Sequence, residues 1–145
     1  LPAGNHDHIF ARIADRLYTA GGKTFFGWPA DEWVNLDHVW SYAIGDGTWR
    51  IEPPTLEPGK AYAGIASLND ELWLLGGYFR EGDARHGTRA TDTVEIYDPE
   101  SRRFRLGPPL PMAVGQVVTL TVADSLHAIG GDGEEGPSSE VNRIG

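Results

Sequence analysis

An all-β fold made of repeated four-stranded sheets is predicted by three features of this 145-residue sequence. First, a hydrophobic run ends on a double glycine three times: LYTAGG at 17–22, LWLLGG at 72–77 and LHAIGG at 126–131. The doublets begin at 21, 76 and 130, spacings of 55 and 54 residues, and a fixed period of this size marks a repeat architecture. Second, the flanking residues keep the same phase. HVWSY at 38–42 falls on TVEIY at 93–97, and TWRIEPP at 48–54 falls on RFRLGPP at 103–109. Third, 19 Gly and 10 Pro supply many turns and argue against long helices.

Each copy reads as four short strands. In the second they span about 60–68 (KAYAGIASL), 71–76 (ELWLLG), 93–97 (TVEIY) and 102–106 (RRFRL). The runs are rich in β-branched and aromatic residues and are bounded by turn formers. Between the first two strands of the copies lie ADR, NDE and ADS, whose Asp and Asn suit tight hairpins. Four antiparallel strands form a twisted sheet with two apolar faces, and a neighbouring sheet must cover each face. Radial stacking satisfies this and gives a β-propeller with blades at about 1–54, 55–109 and 110–145. The ring is incomplete, with two full blades and most of a third, because EVNRIG at 140–145 brings the last copy only to its third strand. The double glycine then has a physical role. A strand near the narrow axis turns outward where backbones crowd, and glycine permits both the approach and a positive φ.

Composition excludes several functions. Hydrophobic residues are 40% and the net charge is −9, so the surface repels nucleic-acid phosphates. No apolar run approaches the roughly 18 residues of a membrane span. Cysteine is absent, which removes disulfides, thiolate metal sites and a Cys nucleophile from these residues.

The order Gly-Gly, then Tyr, then an aromatic residue seven positions on resembles the kelch repeat. It is carried by Gly21, Gly22, Tyr42 and Trp49, by Gly76, Gly77, Tyr97 and Phe104, and by Gly130 and Gly131, with Ile144 in place of the third Tyr. The resemblance covers essentially the whole chain. It implies a propeller of about six blades, closed by further blades from a longer chain or by a second copy. It also implies that function sits in loops at one end of the axis.

Those loops differ in chemistry. Residues 23–37 carry Phe25, Phe26, Trp28 and Trp33, aromatic planes that stack on sugar rings, anchor a protein partner, or pack over the blade's own rim. Residues 78–92 hold Arg80, Arg85, His86 and Arg89 among three acids, a set suited to a carboxylate or to internal ion pairing. The acidic loop at 132–140 matches no EF-hand spacing and reads as a solvated turn. His6 and His8 would share one face of a strand, a weak metal-site candidate without a third ligand; no cofactor is expected. Ligand-gripping members of the kelch family place Arg sixteen residues before the glycines. Asn5, Lys60 and Val114 stand there, leaving Lys60 as the basic candidate.

The expectation is a binding module for a protein or glycan, with no nucleic-acid or membrane partner. The alternatives implied by the resemblance are a carbohydrate-active enzyme, of the sialic-acid mutarotase or galactose-oxidase kind, or a structural propeller piece. A galactose-oxidase centre needs a Cys-crosslinked Tyr that these residues lack, so catalysis within this chain alone is not expected. Family analogy suggests a bacterial periplasmic or secreted setting.

Overall fold

The computed structural model describes residues 2, 4–25, 33–80, 88–134 and 136–144, and the described residues contain no helix. The first blade contributes β1 (Ile9–Ile13), β2 (Arg16–Ala20), β3 (Lys23–Phe25), β4 (Trp33–Asn35), β5 (Val39–Ala43) and β6 (Trp49–Glu52). The second contributes β7 (Gly64–Leu68), β8 (Glu71–Leu75), β9 (Tyr78–Arg80), β10 (Thr88–Ala90), β11 (Val94–Asp98) and β12 (Arg103–Leu106). The third contributes β13 (Val118–Val122), β14 (Ser125–Ile129), β15 (Asp132–Gly133), β16 (Gly136–Pro137) and β17 (Val141–Ile144).

The sheets run β1-β2-β5-β6, β7-β8-β11-β12 and β13-β14-β17, all antiparallel. The four strands expected in the second copy are present, the first beginning at Gly64 rather than near 60. The segments after each doublet, read from sequence as loops, pair instead into short ribbons, β3–β4, β9–β10 and β15–β16.

Alternation along the inner strands builds two cores between blades. Ile13, Tyr18, Ala20 and Val39 of the first blade meet Ile65, Leu72, Leu74 and Tyr97 of the second. Ala66, Leu68, Trp73, Leu75, Val94 and Ile96 of the second meet Val114, Val117, Leu126, Ala128 and Ile144 of the third. Thr119 and Thr121 on β13 donate their hydroxyls to the carbonyls of Ile65 and Ser67 on β7. The inner strands β1, β7 and β13 thus lie side by side, as blades around one axis do. The outer faces stay uncovered. Ile51 is 73% exposed on the first blade, and Val118, Leu120, Val122 and Val141 are exposed on the third.

The glycines join the blades. The first of each doublet donates within its blade: Gly21 to His38, Gly76 to Thr93 and Gly130 to Glu140. The second donates across to the next blade, Gly22 to the Lys60 carbonyl at 3.0 Å and Gly77 to the Val114 carbonyl at 2.8 Å. All six have positive φ. A Cβ on Gly21 would stand 2.1 Å from the Lys60 carbonyl oxygen, so a side chain there has no room.

The aromatic spacing is a register. Tyr42 pairs with Trp49 and Tyr97 with Phe104 across the outer hairpins, with ring centroids 5.0 and 4.9 Å apart. Offset aromatic pairs of this kind add about 0.5–1.5 kcal/mol beyond burial. Ile144 lies opposite Leu126 as Tyr97 lies opposite Leu72.

The inner hairpins carry local strain. Ala14 and Ala123 have φ of 49° and 50°, in register with Asn69 at 53°. Left-handed backbone costs an alanine about 1–2 kcal/mol, against about 0.5–1 kcal/mol of extra chain entropy for glycine. Ala14→Gly and Ala123→Gly are therefore expected to stabilise the chain by about 0.5–1 kcal/mol each, read as a higher urea midpoint. An unchanged or lower midpoint would contradict this.

Candidate functional site

The topology gathers the doublets, the ribbons, the interblade linkers and the starts of the inner strands at one end of the blades. The hairpins at 14–15, 69–70 and 123–124 mark the other end.

At this loop end, three residues preceding the inner strands share one conformation. Asp7, Tyr62 and Gln116 have φ of 56°, 54° and 56° and are equivalent in the repeat. Of the three, only Asp is a residue type that readily tolerates left-handed backbone. Interblade bonding fixes the geometry: the Gln116 N–H donates to the Tyr62 carbonyl at 2.8 Å. Beside each stands the residue that follows a doublet, held by a two-residue bridge: Lys23 to His6, Tyr78 to Ala61 and Asp132 to Gly115.

These residues reach forward from blade to blade. The Lys23 ammonium lies 4.1 Å from the centroid of the Tyr62 ring. Tyr62 and Tyr78 meet edge to face at 6.1 Å. The Tyr78 hydroxyl donates to Asp132, 3.1 Å from its carbonyl and 3.3 Å from Oδ2. Burial, then the Asp132 carboxylate, pushes the Tyr78 phenol above its ordinary range. Gly115 gives the Tyr78 ring its space, since a Cβ there would stand 2.1 Å from Cε2. Lys23 and Tyr62 are half-buried and Gln116 is exposed, so a continuous polar and aromatic strip faces outward.

The candidates read from sequence are distributed unevenly. Phe26, Trp28, Arg85 and His86 lie outside the described residues. Trp33 stands on β4 and Arg80 on β9. Arg89, on β10, makes a loose 3.6 Å ion pair with Glu134 of the third blade, both well exposed. The pair borders an open groove of about 410 Å³ lined by Glu57, Phe79, Asp92 and Ala113 among others.

Lys60 is placed differently from the expectation. It is 1% exposed, and its ammonium sits 2.9 Å from Glu57 and 2.8 Å from Glu95. Glu95 also accepts the backbone N–H groups of Leu56 and Glu57, while Thr91 and Thr93 donate to Glu57. Burial pushes the Glu57 carboxyl up, but Lys60 and the threonine hydroxyls outweigh it and hold it below its usual range. Lys60 thus ties the linker between the first two blades to β11, and its ammonium has no open face.

The histidine pair is also placed differently. Asp7 at positive φ breaks the extended backbone on which His6 and His8 would share a face. His8 packs edge-on against Phe10 at 4.9 Å. Among the described residues, no three His, Cys, Asp or Glu side chains come together as a metal site. Sequence reasoning missed Lys23, Tyr62, Tyr78 and Gln116; their one available signal was their fixed offset from the doublets.

The family model described as the Kelch motif matches residues 59–111, the second blade with its linkers. The chain is built of kelch repeats. Mouse Kelch-like protein 35 is 29% identical over 133 residues, covering 90% of this chain and 20% of that protein. The Kelch repeat and BTB domain-containing protein 12 of Danio rerio is 32% identical over 114 residues, covering 77% of this chain and 18% of that protein. The chain thus spans about a fifth of these relatives' length. Among solved structures, that of YjhT superposes with a TM-score of 0.80 at 17% identity, over 98% of this chain and 46% of that one. At that identity the likeness concerns the fold alone, and the kelch blades described above supply it.

Proposed function

We propose that these kelch blades are part of a propeller that binds a protein partner at its loop end. The observation that carries the reading is Tyr62. A large aromatic side chain is held in left-handed backbone, half-exposed, where glycine would relieve the strain. Strain of this kind concentrates at recognition sites, and Tyr is a favoured interface anchor. The strip from Lys23 to Asp132 forms the floor of this site. Trp33, Arg80 and Arg89, on the ribbons beside it, and Phe26, Trp28, Arg85 and His86, which lie outside the described residues, are the further contacts we propose from the sequence. Further blades, from a longer chain or a second copy, cover the apolar faces of the first and third blades. A glycan is the second reading, favoured by the half-exposed Tyr62 ring, a plane on which a sugar can stack.

The test begins with capture on the immobilised chain, followed by purification of the captured partner and titration. Tyr62→Ala is expected to weaken binding at least tenfold, while Glu100→Ala at the opposite end leaves it unchanged. Equal affinity of the Tyr62→Ala variant would remove the loop end from the proposal.

A further inference from the structure

We propose that Lys23 and Tyr62 form an anion-binding rung that takes a carboxylate side chain of the protein partner, an inference that rests on the binding reading above. Three observations converge on it. The Lys23 ammonium has no carboxylate within salt-bridge distance among the described residues; its one described contact is the face of the Tyr62 ring. The Tyr62 hydroxyl has no hydrogen-bond partner among the described residues, so the ammonium lies over the ring of a second unengaged donor, and both residues are half-exposed.

The equivalent place at the next blade junction is already filled. Tyr78 stands where Lys23 does in the repeat, and its hydroxyl is engaged by Asp132. Asp132, through its carbonyl and its carboxylate, therefore occupies one junction, and the neighbouring junction presents donors without an acceptor among the described residues. A carboxylate at the first junction completes the same donor–acceptor pattern, with a charge-assisted bond from Lys23 and a second bond from the Tyr62 hydroxyl.

The basic Lys60, sixteen residues before its doublet, is closed to this role by Glu57 and Glu95. The cation at the loop end comes instead from the residue directly after the first doublet. Tyr62 holds the rung in place through its left-handed backbone and the bond from Gln116. On a chain of net charge −9, a half-buried ammonium with no carboxylate partner among the described residues is a local electropositive spot.

The probe is N-acetyl-glutamate amide, with N-acetyl-glutamine amide as its neutral isostere, titrated into the isotope-labelled 145-residue chain by NMR. The glutamate probe is expected to shift the Lys23 side-chain and Tyr62 ring signals saturably, and the glutamine probe to bind about tenfold more weakly. Lys23→Met is expected to remove the response while the Gly77 and Tyr97 signals stay in place, showing an intact fold. Tyr62→Phe is expected to weaken it a few-fold. Equal response to both probes, an undiminished response in Lys23→Met, or no response at Lys23 in the folded chain would overturn the proposal. None of these results touches the binding reading, which stands or falls with partner affinity in Tyr62→Ala.

Discussion

Gly76→Ala is expected to destabilise the chain by about 3 kcal/mol or more, while Gly130→Ala costs only about 1–2 kcal/mol. The two glycines are equivalent in the repeat and nearly identical in backbone, with φ of 59° and 66°. Both substitutions therefore carry the same left-handed penalty. They differ in what surrounds the added Cβ. At Gly76 it would stand 2.3 Å from the Val114 carbonyl oxygen of the third blade. At Gly130 the nearest atom is the Ser138 oxygen at 3.5 Å, an ordinary contact. The difference isolates crowding between blades, because the blade-to-blade bond from Gly77 to Val114 must shift if Val114 moves. Chemical denaturation of both variants measures it. Equal losses would mean that the doublets serve only their own turns.

Glu52→Ala is expected to cost about 3–5 kcal/mol, because it leaves several donors without their acceptor. Glu52 ends β6 of the first blade and is 3% exposed. Its carboxylate accepts from Ser41 at 2.6 Å, Arg50 at 2.7 Å, the Tyr97 hydroxyl at 2.7 Å and Arg102 at 3.1 Å. Tyr97 and Arg102 belong to the second blade, so the network clamps one blade to the next. At the following junction both partners change together: Gly107 stands where Glu52 does, and Ile144 where Tyr97 does. Tyr97→Phe removes a single donor and is expected to cost about 1.5–3 kcal/mol. The double variant should lose less than the sum of the singles, since each single already breaks the shared bond.

The same clamp sets a pH dependence. Burial alone would raise the Glu52 carboxyl, but bonds from Ser41, Tyr97 and Arg50 outweigh it and leave it below its usual 4.5. Its stabilisation is full above 4.5 and is lost as pH falls through the lowered folded value. Burial, then Glu52, raises the Tyr97 phenol well above its usual 10.0. That contribution is full below 10.0 and is lost as pH rises towards the folded value. Stability should therefore fall at both extremes, and Tyr97→Phe should flatten the alkaline limb. An unchanged alkaline limb would separate Tyr97 from it.

The blades were legible in the sequence because their determinants recur along it. The doublets mark the ends of second strands, and the seven-residue step from Tyr42 to Trp49 is a cross-strand pair. The loop-end strip was not legible, because Asp7, Tyr62 and Gln116 share a backbone state and no side-chain chemistry. Lys60 was misplaced by a positional argument from ligand-gripping relatives. Its partner Glu57 lies three residues away, but Glu95 comes from a strand that only the fold brings near. The ribbons escaped notice because three-residue strands carry too little alternation to register.

Hydrogen exchange at the second glycine of each doublet tests the blade-around-axis arrangement most directly. The Gly22 and Gly77 amides donate to the following blade, whereas Gly131 has no such acceptor among the described residues. Slow exchange at Gly22 and Gly77, close to the rate of global unfolding, with fast exchange at Gly131, is the predicted result. Fast exchange at Gly22 and Gly77, or one common rate for all three, would contradict it.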